Sequence, residues 1–243
     1  MSCPYCNDRG IILDGEQAIR CSCMGRQAWQ KKLASAHLSP LMRQYTFEKF
    51  DLRYYSPSTT GPVKGRSLHE TAQIALRAAR KFAQAFLAGR ATEGLLITGE
   101  VGSGKTFLAC AIANAVLAGG GEVLFLVVPD FLDRLRATYD GRDEVTEMEL
   151  IEAAKQVPLL ILDDLGAHQY TDWARQKIYS ILNHRLNHLF PVVVTTNLDL
   201  DQLAEHLGRR TVSRLFQLCQ SFYLEADEDI RIVTRRERDA AQR

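Results

Sequence analysis

From Ser67 onward the chain alternates between two hydrophobic periods. Ser67 and Glu70 have capping-box spacing, and Ile74, Ala78, Phe82 and Phe86 follow at four-residue steps. That pattern predicts a helix with one apolar face, stopped at Gly89. Five short apolar runs then read as strands: 94–98 (GLLIT), 122–128 (EVLFLVV), 158–163 (PLLILD), 191–197 (PVVVTTN) and 221–225 (SFYLE). Helices are expected between them, at about 105–117 before Gly119-Gly120-Gly121, at 129–139 with Pro129 in the first turn, and at 172–187. Strands that are apolar throughout, separated by helices, predict an α/β fold with a five-stranded parallel sheet flanked by helices.

The first part of the chain does not share this pattern. Residues 1–45 are mildly basic, poor in apolar positions, and hold four of the six cysteines. Residues 46–66 include a stretch rich in Pro, Gly, Ser and Thr and read as a linker. The expected division is therefore a small module over 1–45, a linker over 46–66 and the α/β domain over 67–243. At 46% hydrophobic and 24% charged residues, the composition is that of an ordinary globular protein. A net charge of +1 does not announce a polyanionic partner, so any such contact needs a local patch. No apolar run is long enough to span a membrane, and residues 1–20 lack the apolar core of a secretory signal. The expected location is the cytoplasm, without a membrane partner.

Residues 99–106, GEVGSGKT, fit G-x-x-x-x-G-K-[ST] in full, between an expected strand and an expected helix. Gly99, Glu100, Val101, Gly102, Ser103 and Gly104 would wrap phosphates with backbone N–H groups. Lys105 would reach the β- and γ-phosphates of ATP, and Thr106 would place its hydroxyl on Mg²⁺. The apolar run 159–162 ends on Asp163 and Asp164. A buried strand gains no stability from terminal acids; Asp163 is suited to Mg²⁺ and Asp164 to polarising a water. Asn197, ending VVVTTN, is a candidate for reading the γ-phosphate or orienting that water, though polar residues at a strand end are also ordinary turn chemistry.

Cys3-x-x-Cys6 and Cys21-x-Cys23 supply four thiolates on either side of a short stretch, which suits tetrahedral Zn²⁺. The alternative is a redox pair or free thiols, but no thioredoxin-like βαβ pattern surrounds them. A segment this poor in apolar residues gains folding free energy from a metal. Cys110 and Cys219 lie in apolar surroundings and read as core residues.

The order of these elements resembles an AAA+ ATPase core. Residues 47–51 (FEKFD), 95–114 (LLITGEVGSGKTFLACAIAN), 128–139 (VPDFLDRLRATY), 159–167 (LLILDDLGA), 192–198 (VVVTTNL) and 207–215 (LGRRTVSRL) together resemble the DnaC/DnaI/IstB group, over roughly residues 40–223. That group comprises replicative helicase loaders and related transposition ATPases. The resemblance implies slow, partner- or DNA-stimulated ATP hydrolysis and ATP-dependent assembly into a spiral oligomer. It implies that a hexameric replicative helicase is bound, through the zinc module, and deposited on single-stranded DNA. The alternative is an IstB-like ATPase acting with a transposase on target DNA. Arg214 matches the finger that completes a neighbouring subunit's ATP site, and Arg210 is the second candidate, as a phosphate sensor. Asp163-Asp164 stands where many AAA+ proteins have Asp-Glu, a form the loader and IstB group often shows.

Some twenty residues follow the last expected strand, too few for the helical lid of many AAA+ proteins. The lid is therefore expected to be absent or reduced. Arg231, Arg235, Arg236 and Arg238 alternate with acids there and read as a solvated tail. Two segments resemble the group's pore-facing elements and make Tyr139, Thr171 and Trp173 candidates for single-stranded DNA contact. Tyr139 also continues the apolar helical face of Phe131 and Leu135, so packing is its other reading.

Overall fold

The apolar runs form one parallel sheet in the computed structural model, which describes residues 11–14, 17–20, 38–63, 65–138, 145–167 and 169–241. The chain divides into two compact units, Met1–His37 and Leu38–Arg243. In the first, β1 (Ile11–Asp14) and β2 (Gln17–Arg20) pair antiparallel with Ile11 opposite Arg20. Cys3, Cys6, Cys21 and Cys23 lie outside the described residues, as does Tyr139.

The second unit begins 29 residues before the expected domain start. Short 3₁₀ turns over 42–44, 47–49 and 52–54 carry the chain across the helical layer. Then α1 (Leu68–Leu87) opens with the Ser67–Glu70 capping box, formed in both directions. The order continues β3 (Gly94–Thr98), α2 (Lys105–Ala118), β4 (Val123–Val127), α3 (Val128–Ala137), α4 (Glu147–Gln156), β5 (Leu159–Asp163) and α5 (Asp172–Asn187). It ends with β6 (Val192–Thr196), α6 (Leu200–Leu207), α7 (Arg209–Leu218), β7 (Cys219–Tyr223) and α8 (Ile230–Ala241). Helices α4, α6, α7 and α8 were not anticipated.

The sheet order is β4-β5-β6-β3-β7, parallel throughout, so the five-stranded expectation holds. One face, with Leu95, Ile97, Phe125, Ile161 and Val193, belongs to the core shared with α1 and α2. Alternate residues such as Leu96, Leu160 and Leu162, equally buried, face the other side. Helix α2 is buried on nearly all sides, from Leu108 to Ala113, which explains why it is apolar without a stripe. No described helix is long and apolar enough to cross a membrane.

Residues 46–66 are not a free tether. Phe47, Phe50 and Tyr55 are buried in the α1–α2 core. Tyr45 stacks on Phe107 at 4.4 Å, and the Asn114 side-chain amide donates to the carbonyls of Met42 and Tyr45 at 2.9 and 2.8 Å. Arg80 donates to Phe47 O at 3.1 Å. Buried aromatic residues three and five apart, Phe47, Phe50 and Tyr55, set among polar residues, make this stretch a strap over the helices.

Candidate nucleotide-binding site

The turn from β3 into α2 builds the phosphate loop. Gly102 has φ 74° and a side chain there would run into the Asp229 carboxylate at 2.1 Å; Gly104 has φ 94° and a Cβ there would lie 2.8 Å from the Tyr55 hydroxyl. Both positions therefore need glycine for conformation and for space. Tyr55 donates to Ser103 O at 2.8 Å, tying the strap to the loop. Lys105 Nζ donates to Glu100 O at 2.5 Å and to Ser103 Oγ at 3.4 Å, which places the ammonium across the loop's mouth. Burial pulls Lys105 down to about 8, against the opposing charges of Asp164 and Asp163. An anionic ligand would favour its charged form again.

At the end of β5, Asp163 is almost wholly buried and Asp164 half-buried. Burial pushes the Asp163 carboxyl up to about 6; hydrogen bonds from Thr195 and Thr106 oppose this, and the Asp164 charge adds to it. Asp164 adopts φ 56°, a left-handed conformation that carries its side chain out of strand register. Hydroxyl and carboxylate oxygens from Thr106 and Asp163, next to a phosphate loop, are the hard donors that suit Mg²⁺.

The phosphate loop, Thr106 and Asp164 meet at a cavity of about 890 Å³, which the buried Asp163 does not line. Its lining includes Val101, Gly102, Gly104, Lys105 and Thr106, then Asp164 and the exposed Asn197. Gly99, at the end of β3, packs so close to Leu224 that a Cβ would meet its carbonyl oxygen at 1.9 Å. Two further walls were not expected. One is the strap, with Leu41, Met42, Tyr45 and Tyr54; the other is α8, with Ile230, Arg231, Thr234, Arg235 and Arg238. The tail read as solvated is thus a helix seated beside the phosphate loop, with Ile230 N–H donating to Gly102 O at 3.1 Å. Arg236 alone among its four named arginines turns away, pairing with Glu228 at 2.8 Å. The signal was a four-residue spacing, Arg231–Arg235, with Arg238 three further on.

Neither Arg214 nor Arg210 lines this cavity. Both lie on α7, Arg214 bonded to Gln217 at 2.9 Å and Arg210 exposed. Thr171 is the N-cap of α5, its hydroxyl accepting from Ala174 N–H at 3.4 Å. The half-buried Trp173 ring has Arg136 at 6.0 Å and Lys177 at 5.9 Å. Cys110 and Cys219 are buried free thiols, as expected.

The family described as IstB-like ATP binding protein matches residues 10–216. The chain belongs to this family. A replicative helicase loader DnaC from Buchnera aphidicola subsp. Schizaphis graminum is 27% identical over 161 residues, 66% of this IstB-like chain and 64% of that protein. DnaI of Bacillus subtilis strain 168, also a replicative helicase loader, is 33% identical over 115 residues, 47% of this chain and 36% of that protein. The crystal structure of a DnaC helicase loader superposes with a TM-score of 0.61 at 26% identity, covering 77% of this chain and all of that one. The IstB-like chain thus spans under two thirds of the length of the first curated relatives it matches. The fold is that of the AAA+ P-loop ATPases.

Proposed function

We propose that this IstB-like chain is an ATPase that loads a hexameric replicative helicase onto single-stranded DNA. The observation that carries this is the meeting of the phosphate loop, Asp164 and Asn197 at one cavity, in a chain whose relatives are named helicase loaders. Lys105 and the backbone of residues 99–104 hold the phosphates of ATP. Thr106 and Asp163 hold Mg²⁺, which when bound neutralises charge on the β- and γ-phosphates. Asp164 orients and polarises the attacking water, and Asn197 reads the γ-phosphate. Arg214 serves a neighbouring subunit's site, in keeping with its position outside its own chain's cavity, and Arg210 is a second phosphate contact. The assembly is a spiral that forms with ATP, in the cytoplasm.

Cys3, Cys6, Cys21 and Cys23 hold Zn²⁺ in the module that grips the helicase. Support comes from the hairpin between the two cysteine pairs. Ile11 pairs with Arg20, so the two ends of the hairpin that lie nearest in sequence to the cysteine pairs are side by side. Trp173, flanked by Arg136 and Lys177, is the best-supported DNA contact, since a ring with cations beside it suits a base and its phosphate. Thr171 and Tyr139 are the further DNA contacts in this reading.

The second reading, an ATPase acting with a transposase on target DNA, draws on the family's description. A pull-down through residues 1–45, with and without chelator, separates the two. Metal-dependent recovery of a replicative helicase supports loading. Tight duplex binding with dispensable cysteines supports the transposase partner.

A further inference from the structure

Thr195 is wholly buried near the end of β6, beside Asp163 at the end of β5 and Asp164 just past it. Its Oγ1 donates to Asp163 Oδ1 at 2.6 Å and accepts the backbone N–H of Asp164 at 3.0 Å. Its carbonyl accepts the N–H of Leu165 at 2.9 Å. One residue thus grips three consecutive residues of the neighbouring strand end, where Asp164 leaves the extended conformation at φ 56°.

We infer that Thr195 is the positioning residue of this site, its hydroxyl aiming the Asp163 carboxylate and fixing the turn that presents Asp164 to the cavity. A hydroxyl has one proton to give. Here it goes to Asp163 Oδ1, so Oδ2 is the oxygen this bond leaves unengaged. The distance of 2.6 Å is that of a bond to a charged acceptor. Asp164 N–H, the Thr195 hydroxyl and the Asp163 carboxylate run in series, and each bond polarises the next. The backbone bond into Thr195 Oγ1 starts at the residue with positive φ, so the carboxylate's aim and the turn are set by the same atom. A β-branched residue suits a central strand, and valine would fill the same space, so the hydroxyl can be removed without changing shape.

The inference rests on the ATPase reading above. Thr195→Val and Thr195→Ser should be compared in the full chain, using a methylanthraniloyl-labelled ATP titrated with and without Mg²⁺, alongside steady-state ATP hydrolysis. With Thr195→Val, nucleotide binding without Mg²⁺ should match wild type. The Mg²⁺ concentration that half-maximally tightens binding should rise, and kcat should fall, each by ~10- to 100-fold. Thr195→Ser should restore both. A wild-type Mg²⁺ midpoint in Thr195→Val would overturn the inference, as would a Thr195→Ser variant as impaired as Thr195→Val. If circular dichroism shows Thr195→Val unfolded, Thr195→Ala takes its place against Thr195→Ser with the same expectations. A wild-type protein that binds ATP with Mg²⁺ but never hydrolyses it removes the ATPase reading, while the Mg²⁺ midpoints still decide the role of Thr195.

Discussion

The Tyr54 hydroxyl donates to Glu237 Oε2 at 2.8 Å, joining residues 183 apart in the chain. It links the strap to α8, both of which line the cavity beside the phosphate loop. Nearby, Asp227 accepts from Ser56 N–H at 2.7 Å and from the Thr59 hydroxyl at 2.9 Å. Three hydrogen bonds therefore join the two ends of the second unit beside the cavity. Tyr54→Phe removes one of them and leaves the ring in place. A hydrogen bond of this kind is worth about 0.5–1.5 kcal/mol, so stopped-flow release of labelled nucleotide should quicken ~2- to 10-fold. Unchanged release would show that the rim contact does not gate exit.

Asp163 should cost the nucleotide-free protein stability. Its carboxyl is raised to about 6 against an ordinary value of 3.8, so the folded chain holds that proton more tightly than the unfolded one. The penalty is absent below the ordinary carboxylate range, grows as pH rises from about 4, and is complete above about 6, at a size on the order of 3 kcal/mol. Asp163→Asn should therefore melt higher than wild type at pH 7.5 without nucleotide, with the gap closing as pH falls toward 4. Scanning calorimetry across that range checks the sign. A lower-melting Asp163→Asn at pH 7.5 would contradict it.

Arg185 has no part in the site and should matter for the fold alone. Its buried guanidinium donates to the carbonyls of Ala154, Lys155, Val157, Pro158 and Pro191, at 2.7–3.2 Å. It thereby satisfies the C-terminus of α4 and the entry to β5 and β6. Arg185→Met should destabilise by at least ~3 kcal/mol, since several buried acceptors lose their donor. Arg185→Lys should rescue little, because an ammonium has three donors and no fork. Chemical denaturation of both variants provides the measurement.

Zinc removal should separate binding from loading. Metal analysis of purified wild type should give one Zn²⁺ per chain, and Cys3→Ser with Cys6→Ser should lose it. That double variant should keep wild-type affinity for labelled ATP yet fail to capture a helicase. Retained capture would assign the cysteines to another role.

Much of the second unit was legible because its signals are local. Residues 99–106 carry a full motif between a strand and a helix, and Asp163-Asp164 ends an apolar run. Strands β3 to β6 were readable because buried parallel strands are apolar throughout, whereas β7, with the sequence CQSFY at the sheet edge, is largely unburied. Helix α4 had a legible start that was passed over: Thr146 and Glu149 form a capping box. What could not be read depended on tertiary contact. The linker reading of 46–66 followed Pro, Gly and Ser content, while Phe47, Phe50 and Tyr55 settled into a core built by distant helices. The arginines of α8 read as a solvated tail because they alternate with acids; each is exposed, yet Ile230 and Asp229 seat that helix against Gly102. Thr195 carried no signal, since a threonine in a strand is ordinary until its neighbours are known.

The central claim is that ATP held at Lys105 drives deposition of a helicase on DNA. Its most direct measurement is the amount of replicative helicase retained on single-stranded DNA after incubation with ATP and either wild type or Lys105→Ala. Wild type should deposit helicase in an ATP-dependent manner, and Lys105→Ala should leave it at the level seen without loader. Deposition by Lys105→Ala equal to wild type would contradict the account.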